Sequence, residues 1–360
     1  IDKSKPSFLF HSAGKDSNTI ALALAEAGWQ DRVTLITHKS KGMADESKIS
    51  EKIAKQLGFK HQILHEVDQL QAYHKQAIKE YFINAPLPCT DNVSLAYPLY
   101  VEQLPELKGS NIIDGGGNDC YMITPPTQRE LRTISLSRLI YQLSFMRKFV
   151  NSESIFNPLL RTPAEWFGMA GLSLKDTNKI FPNNQSVYPH WSKKSNSHKS
   201  WDIFYFKTDI LSTITAAETH IRKARNFADS IGSNLILPFA NQKLAEYFNK
   251  LPETNLFDRN HLKNKTLLRE ILKNRIGIDS DKLGKMGWVY DSRNIVMQNW
   301  NDIMFEIQAC KLWHQVDLLK ILNRMRNRMN GKGWGSIASG RYIYRIYLIS
   351  CWYNYNKYLA

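Results

Sequence analysis

The hydrophobic and polar positions in the first third of the chain follow two alternating patterns. Short apolar runs predict buried strands, and longer stretches with apolar residues every three or four positions predict helices. The predicted strands lie at residues 7–11, 33–37, 61–64 and 111–114, and the predicted helices at 19–27 and 46–57, ended by Gly28 and Gly58. Strands that alternate with helices in this way are typical of a parallel α/β sheet.

Beyond residue 125 the strand signals largely vanish. Helical patterns occupy residues 129–150, 201–230, 242–251, 266–275, 296–324 and 337–358. Residues 152–200 are irregular and polar, and 191–200 are typical of an exposed loop. We therefore predict an α/β protein in which a parallel twisted sheet within residues 1–124 precedes a helical insertion at 125–210 and a helical C-terminal part at 211–360.

Charge and cysteine content narrow the classes of partner. The chain has 360 residues, with 48 Lys and Arg against 33 Asp and Glu, and a formal net charge of +15. This excess suits ligands that carry phosphate, nucleic acid included, but we see no appended RNA-binding module, so nucleic acid is not the favoured partner. Four scattered cysteines without a CxxC pair argue against a zinc site or disulfide framework and favour a reducing cytoplasm. No apolar stretch approaches the roughly 18 residues that would span a bilayer.

The strongest local motif lies between the first predicted strand and helix, at residues 11–17 (HSAGKDS). Small residues after a strand let backbone N–H groups face a phosphate, and the helix N-terminus adds positive potential. Ser12 and Ser17 offer hydroxyl donors, Lys15 offers a mobile positive charge, and Asp16 is suited to holding magnesium. The alternative is an ordinary turn capped by Asp16 or Ser17.

A second motif, residues 114–119 (DGGGND), follows the fourth predicted strand. Three consecutive glycines cost backbone entropy, and a close approach of the backbone to a nucleotide would explain them. Open α/β sheets bind ligands at the carboxyl edge of their strands. Asp119 would then be a second magnesium carboxylate facing Asp16, whereas the alternative is a tight glycine turn.

These motifs resemble a known family. Residues 12–17 resemble the SGGxDS loop of the PP-loop ATP pyrophosphatases, and the chain as a whole resembles the synthetase domain of the asparagine synthetase family, which includes β-lactam synthetases and lasso peptide cyclases. The further matching segments, in the right order, are 45–47 (DES) with 54–58 and 61, 114–119 against SGxGxD, 237–241 (LPFAN) against PFLD, 267–270 against LLR, 285–288 (KMGW) against KxGF, and 346–353 against the closing helix.

The resemblance implies a Rossmann-like sheet of the adenine nucleotide alpha hydrolase type, with ATP and Mg²⁺ as cofactors. It implies that a small-molecule or peptide carboxylate is adenylated with release of pyrophosphate and is then coupled to an amine or ammonia. It also implies a catalytic lysine at Lys285 and magnesium at Asp16 and Asp119. The implied nucleotide-binding residues are Leu9, Phe10, Ser12, Gly14, Lys15, Asp16, Ser17, Ile36, Thr37, Gly115 and Gly116.

The chain departs from the family pattern at several positions. Gly116 stands where the family commonly carries a Glu or Tyr that is a candidate acid or base, and a glycine cannot transfer a proton. Asn241 replaces the last residue of PFLD, which argues against aspartate as the substrate. No glutaminase precedes the loop at residues 11–17, and the chain begins at Ile1 rather than Met. Ammonia from glutamine would therefore require a separate glutaminase subunit or a missing N-terminal domain.

Weaker signals leave alternatives open. Asp91 and Ser94 lie where the family contributes to its acceptor pocket, and loop capping explains them equally well. The basic run at residues 259–273 is better explained by a helix with a solvated face than by a nucleic-acid surface. Two rival functions are a PP-loop enzyme that modifies tRNA and a nucleotide-binding subunit without catalysis.

Overall fold

The structure, a computed structural model, describes residues 1–41, 45–140, 143–181, 186–283 and 290–359. Its strands are β1 Ser7–Phe10, β2 Val33–Lys39, β3 Lys60–His65, β4 Asn111–Ile113, β5 Asn234–Ile236, β6 Phe257–Asp258 and β7 Lys263–Asn264. Its α-helices are α1 Lys15–Glu26, α2 Ser47–Leu57, α3 Ala72–Ile83, α4 Ala96–Gln103, α5 Gln128–Ile140, α6 Pro163–Phe167, α7 Leu174–Ile180, α8 Tyr188–Ser197, α9 Ile203–Ile210, α10 Arg222–Ser230, α11 Gln242–Phe248, α12 Glu253–Leu256, α13 Thr266–Ile276, α14 Ser280–Leu283, α15 Ser292–Gln298, α16 Trp300–Ala309, α17 Gln315–Met329 and α18 Trp334–Tyr355. A π-helical stretch, Leu211–Ile221, precedes α10.

Five parallel strands form the main sheet, in the order β3-β2-β1-β4-β5. All four residues of β1 and all three of β4 are buried, as expected for strands covered on both faces. The predicted parallel α/β sheet and its four strands are therefore confirmed. The short strand β5 was not predicted, because three residues between Gly232 and Pro238 carry too little periodic signal.

Helices α1 and α8 differ from the predictions made from the sequence. Helix α1 begins at Lys15 rather than at residue 19, so Lys15, Asp16 and Ser17 form its first turn. Helix α8 occupies Tyr188–Ser197, where an exposed loop was predicted. Trp191 of α8 is partly buried against an apolar cluster, and this packing stabilises a helix that its polar composition does not favour.

The chain divides into two compact units. The first contains Ile1–Pro125 and Ala216–Tyr290 and carries the five-stranded sheet. Within it, α1 packs against α2 and α13. The second contains Pro126–Thr215 and Asp291–Ala360. Within the second unit, α18 packs against α15, α16 and α17. Across the described parts of the chain, no helix combines the length and apolar character needed to cross a bilayer.

Candidate functional site

An open cavity of about 380 Å³ lies in the first unit, at the carboxyl ends of β1 and β4. The chain runs from β1 to β2 on one side, and β4 lies on the other side of β1, so the strand order reverses between β1 and β4. Open α/β sheets bind ligands at such a reversal, because the loops that follow the two strands diverge and leave a crevice. The cavity is lined by Phe10, His11, Ser12, Gly14, Asp16, Ser17, Asp91, Asn92, Val93, Tyr97, Asp114, Gly115, Gly116, Asp119, His220 and Lys223.

The loop after β1 turns its backbone donors toward side chains of the protein. Ser12 N–H donates to Ser17 Oγ at 3.2 Å, and Gly14 N–H donates to Ser12 Oγ at 3.0 Å. Ala13 N–H donates to Glu46 Oε2 at 3.1 Å. The two hydroxyls can rotate to give their protons to an anion, whereas the buried Glu46 carboxylate holds Ala13 N–H. The loop can therefore offer an anion the Ser12 and Ser17 hydroxyls beside the N-terminus of α1.

The glycines after β4 are explained by neighbouring protein atoms. A Cβ atom on Gly115 would lie 3.2 Å from Cβ of Asp16. Gly117 has φ +103°, and a Cβ there would lie 3.1 Å from the backbone nitrogen of Ala240. These two positions require glycine because the loop packs closely on α1 and on the segment after β5. Close approach to a nucleotide is therefore not needed to account for them.

Two carboxylates of the cavity converge on one buried ammonium group. Lys265 Nζ lies 2.5 Å from Asp16 Oδ2 and 2.7 Å from Asp119 Oδ1. The Lys265 side chain is only 2% exposed. Asn118 donates to the other oxygen of Asp16, and Thr124 donates to Asp119 at 3.2 Å. The two carboxylates predicted to bind magnesium therefore contact the same cationic group, next to the loop that can bind an anion.

The pKa and the backbone conformation of Lys265 both reflect its contacts with Asp16 and Asp119 and its buried position. Burial by itself disfavours the ammonium, but attraction by Asp16 and Asp119 outweighs burial, and the pKa of Lys265 is raised. The residue also has φ +59°, in the left-handed region that non-glycine residues seldom adopt. The prediction that residues 259–273 form a helix with a solvated face is therefore wrong at Lys265, which precedes α13 and is buried.

These carboxylates fit a magnesium ion that also binds phosphate oxygens. Mg²⁺ is commonly held by one or two carboxylates together with substrate phosphates and waters, rather than by a full set of protein ligands. Among the residues that the structure describes, no group of three or more His, Cys, Asp or Glu side chains is arranged to hold a metal. The pair Asp16 and Asp119 therefore suits an ion that arrives with a phosphate ligand.

A second group of charged side chains lines the cavity, from the loop before α4, the end of the π-helical stretch and the start of α10. Lys223 Nζ lies 3.1 Å from Asp91 Oδ1, and His220 Nε2 lies 3.8 Å from Asp91 Oδ2. Burial raises the pKa of Asp91, but Lys223 and His220 outweigh burial and the net pKa is lowered. Burial, reinforced by the Lys223 charge, lowers the pKa of His220. Asp91 is therefore a paired carboxylate, and His220 favours its neutral form.

Asp114 ends β4 and lines the cavity beside this group. Its Oδ1 accepts the Gly116 N–H at 2.8 Å, and its Oδ2 accepts the Tyr97 hydroxyl at 3.4 Å. Burial raises the pKa of Asp114, although Lys223, Gly116 and Tyr97 act in the opposite direction. Asp114 thus differs from Asp91, because the net pKa is raised at Asp114 and lowered at Asp91.

The predicted site residues separate into those that line the cavity and those that do not. Phe10, Ser12, Gly14, Asp16, Ser17, Asp91, Gly115, Gly116 and Asp119 line it. Leu9, Lys15, Ile36, Thr37 and Ser94 are buried outside that lining. Thr37 Oγ1 contacts Ser50 Oγ and His61 Nε2, and Ser94 Oγ donates to Cys89 Sγ at 3.4 Å. Lys285 lies outside the described residues.

Comparisons with known proteins do not decide what this cavity binds. No family model matches the chain, and no curated protein matches it. The functional inference therefore depends on the side chains of the cavity.

Four residues at the site were missed by reasoning from the sequence: Asp114, His220, Lys223 and Lys265. Asp114 was assigned to a motif without a role of its own, although its position at the carboxyl end of a buried strand was a usable signal. His220 and Lys223 carry no motif and reach the cavity only because α10 and the end of the π-helical stretch pack beside the sheet. Lys265 lies within the basic run at residues 259–273, which was interpreted as a helix with a solvated face.

Proposed function

We propose that this protein is an ATP-dependent ligase that transfers AMP to a substrate carboxylate, releases pyrophosphate and couples the activated carboxylate to an amine or ammonia. The observation that carries the proposal is the convergence of Asp16 and Asp119 on one buried cation position beside the Ser12–Ser17 loop. A cation next to an anion-binding helix N-terminus is the arrangement that a metal-bound pyrophosphate group requires.

Two further observations support an adenine nucleotide at this cavity. The sheet order β3-β2-β1-β4-β5 is that of doubly wound sheets, which bind nucleotides at the reversal of strand order. The segments at residues 12–17, 114–119, 237–241 and 267–270 resemble the asparagine synthetase family. The Rossmann-like PP-loop assignment of the fold rests on this resemblance together with the strand order.

In the proposed reaction, the residues of the chain bind and orient the phosphates. Ser12 and Ser17 donate hydroxyl hydrogen bonds to the departing pyrophosphate, at the N-terminus of α1. Asp16 and Asp119 would hold Mg²⁺, which when bound neutralises the charge that develops on the pyrophosphate. Lys265 supports both carboxylates with an ammonium that stays protonated because its pKa is raised. The charge-stabilising role implied for Lys285 belongs to the same proposal.

The proposal is tested with α-labelled ATP, Mg²⁺ and pools of carboxylic acids. The pools contain free amino acids, small dicarboxylic acids and dipeptides, with ammonium chloride as the amine. We expect labelled AMP and pyrophosphate from the wild-type protein, and neither from Asp16→Ala or Asp119→Ala, because each variant removes half of the cation position. Asp229→Ala removes an exposed carboxylate of α10 outside the cavity and serves as the control.

Three outcomes separate the alternatives. AMP that disappears in both cavity variants and persists in the control supports the ligase. ADP in place of AMP would rule out adenylation. Tight ATP binding with no AMP from any pool would instead indicate a nucleotide-binding subunit without catalysis.

A further inference from the structure

Amide formation at this cavity needs a group that accepts a proton. An amine attacks an acyl-adenylate in its neutral form, and its nitrogen must lose a proton as the C–N bond forms. Gly116 has no side chain that could take the proton. The acceptor is therefore sought among the titratable groups that line the cavity: Asp16, Asp91, Asp114, Asp119 and His220.

Three of these carboxylates already have a cationic partner. Asp16 and Asp119 share Lys265, at 2.5 and 2.7 Å. Asp91 is paired with Lys223 at 3.1 Å. An ammonium partner stabilises the ionised carboxylate and makes it a weaker base. Within the described parts of the chain, Asp114 lines the cavity with no Lys, Arg or His side chain in ion-pair distance.

The Asp114 carboxyl group fills the space that a side chain at Gly116 would begin to occupy. A Cβ atom built on Gly116 would lie 3.1 Å from Asp114 Oδ1. The glycine and the carboxylate therefore suit each other, because a larger residue at 116 would press on Asp114. The Gly116 N–H and the Tyr97 hydroxyl hold the carboxyl in place.

His220 is less well placed to accept this proton. Its side chain is 42% exposed, and it lies in the π-helical stretch beside the Lys223 ammonium, which opposes a second positive charge on the ring. Protonation of Asp114 removes a buried negative charge, whereas protonation of His220 adds a positive charge next to Lys223.

We propose that Asp114 is the residue that binds the attacking amine and accepts its proton in the amide-forming step. This assignment rests on the proposed function. The amine nitrogen forms a bond to the acyl carbon, the bond from that carbon to the AMP oxygen breaks, and AMP leaves with the electron pair. The proton from nitrogen passes to an Asp114 carboxylate oxygen and is then released to solvent through the open cavity.

The charged and titratable groups around Asp114 are consistent with this role. Lys223 approaches from the start of α10, His220 from the end of the π-helical stretch, Asp91 from the loop before α4 and Tyr97 from α4 itself. Lys223, His220 and the hydrogen bonds from Gly116 and Tyr97 only partly offset burial, so Asp114 keeps a raised pKa and is a stronger base than an ordinary carboxylate. The rate of amide formation should then rise with pH through a pKa above that of an ordinary aspartate.

The test separates the two half-reactions in Asp114→Asn. Asparagine keeps an oxygen that can accept the Gly116 N–H, so the loop can keep its shape. Exchange of labelled pyrophosphate into ATP, measured with the carboxylic acid pools and without ammonium chloride or hydroxylamine, reports adenylation. Amide formation is measured with ammonium chloride and with hydroxylamine, which is largely neutral at pH 7 and needs less help from a base. Asp114→Glu tests rescue, and Asp229→Asn is the control.

We expect Asp114→Asn to keep pyrophosphate exchange and to form amide from ammonia roughly 100-fold more slowly or worse, with a smaller loss for hydroxylamine. In Asp114→Asn, the rise in the rate of amide formation with pH through the pKa of Asp114 should disappear. Asp114→Glu should recover part of the rate of amide formation. Equal amide formation by wild type and Asp114→Asn would overturn the assignment, as would an equal loss of exchange and amide formation. Absence of AMP from the wild-type protein with every pool would instead overturn the proposed function itself.

Discussion

Removing Lys265 is the perturbation whose cost can be worked out most directly from the structure. Lys265→Met takes away the ammonium and leaves Asp16 and Asp119 facing each other. The Lys265 side chain is 2% exposed and that of Asp16 is 18% exposed, so the ion pair between Lys265 and Asp16 is largely buried. Breaking such a pair costs about 3 kcal/mol, because an uncompensated charge remains.

The ion pair between Lys265 and Asp119 adds little to this cost. Asp119 is 43% exposed, so solvent screens its attraction to Lys265 and the contribution is under about 1 kcal/mol. The total expected loss in the free energy of unfolding is therefore about 3 to 4 kcal/mol. For a folding unit of this size, that loss lowers Tm by roughly 6 to 16 °C.

The assay is thermal unfolding of the wild type and of Lys265→Met, in EDTA and in MgCl₂. Because the variant removes the Lys265 ammonium from the two carboxylates, Mg²⁺ should bind there more tightly than in the wild type. At ten times the Kd of the variant, Mg²⁺ should stabilise the variant by about 1.4 kcal/mol, and it should stabilise the wild type less. Lys263→Met is a matched control two residues away, since Lys263 and Asp281 are 43% and 45% exposed and their pair should contribute under about 1 kcal/mol.

Two results would contradict this reasoning. A loss below about 1 kcal/mol in EDTA would mean that the buried ion pair contributes no more than a surface pair. Equal stabilisation of wild type and variant by Mg²⁺ would mean that the metal does not bind at the carboxylates which Lys265 holds.

Two further predictions concern the same unit. Burial lowers the pKa of His11 to about 3, below its ordinary value of 6.5, so the folded protein binds fewer protons than the unfolded chain between these values and loses stability as pH falls through this window. Urea titrations at pH 7 and pH 5 should show the wild type losing up to about 2 kcal/mol more than His11→Asn over this range, and parallel losses would refute the assignment. Gly117→Ala should lower stability by about 1 to 3 kcal/mol, because φ is +103° and the new Cβ would lie 3.1 Å from the Ala240 nitrogen. Chemical denaturation checks this, and an unchanged midpoint would show that the loop relaxes freely.

The local sequence pattern by itself determined most of the strands of the first unit and the positions of several site residues. The apolar runs predicted four of the five parallel strands, and Gly58, with φ +79°, ends α2 where the pattern ended it. The pattern also placed Ser12, Ser17 and Asp16 together after β1, and Asp119 after β4. These predictions succeed because side-chain periodicity and left-handed glycines act over a few residues, and because the ends of parallel strands meet at one sheet edge.

Only the tertiary structure decided how the charges of the site are paired. Lys265 lies 249 residues from Asp16 along the chain, and no local pattern distinguishes it from the exposed Lys263. Asp91 and Asp114 are both carboxylates on loops, yet the nearby Lys223 lowers the pKa of the first and burial raises that of the second. Burial and distance set the protonation of each group, and both depend on contacts between distant segments, which composition and periodicity do not encode.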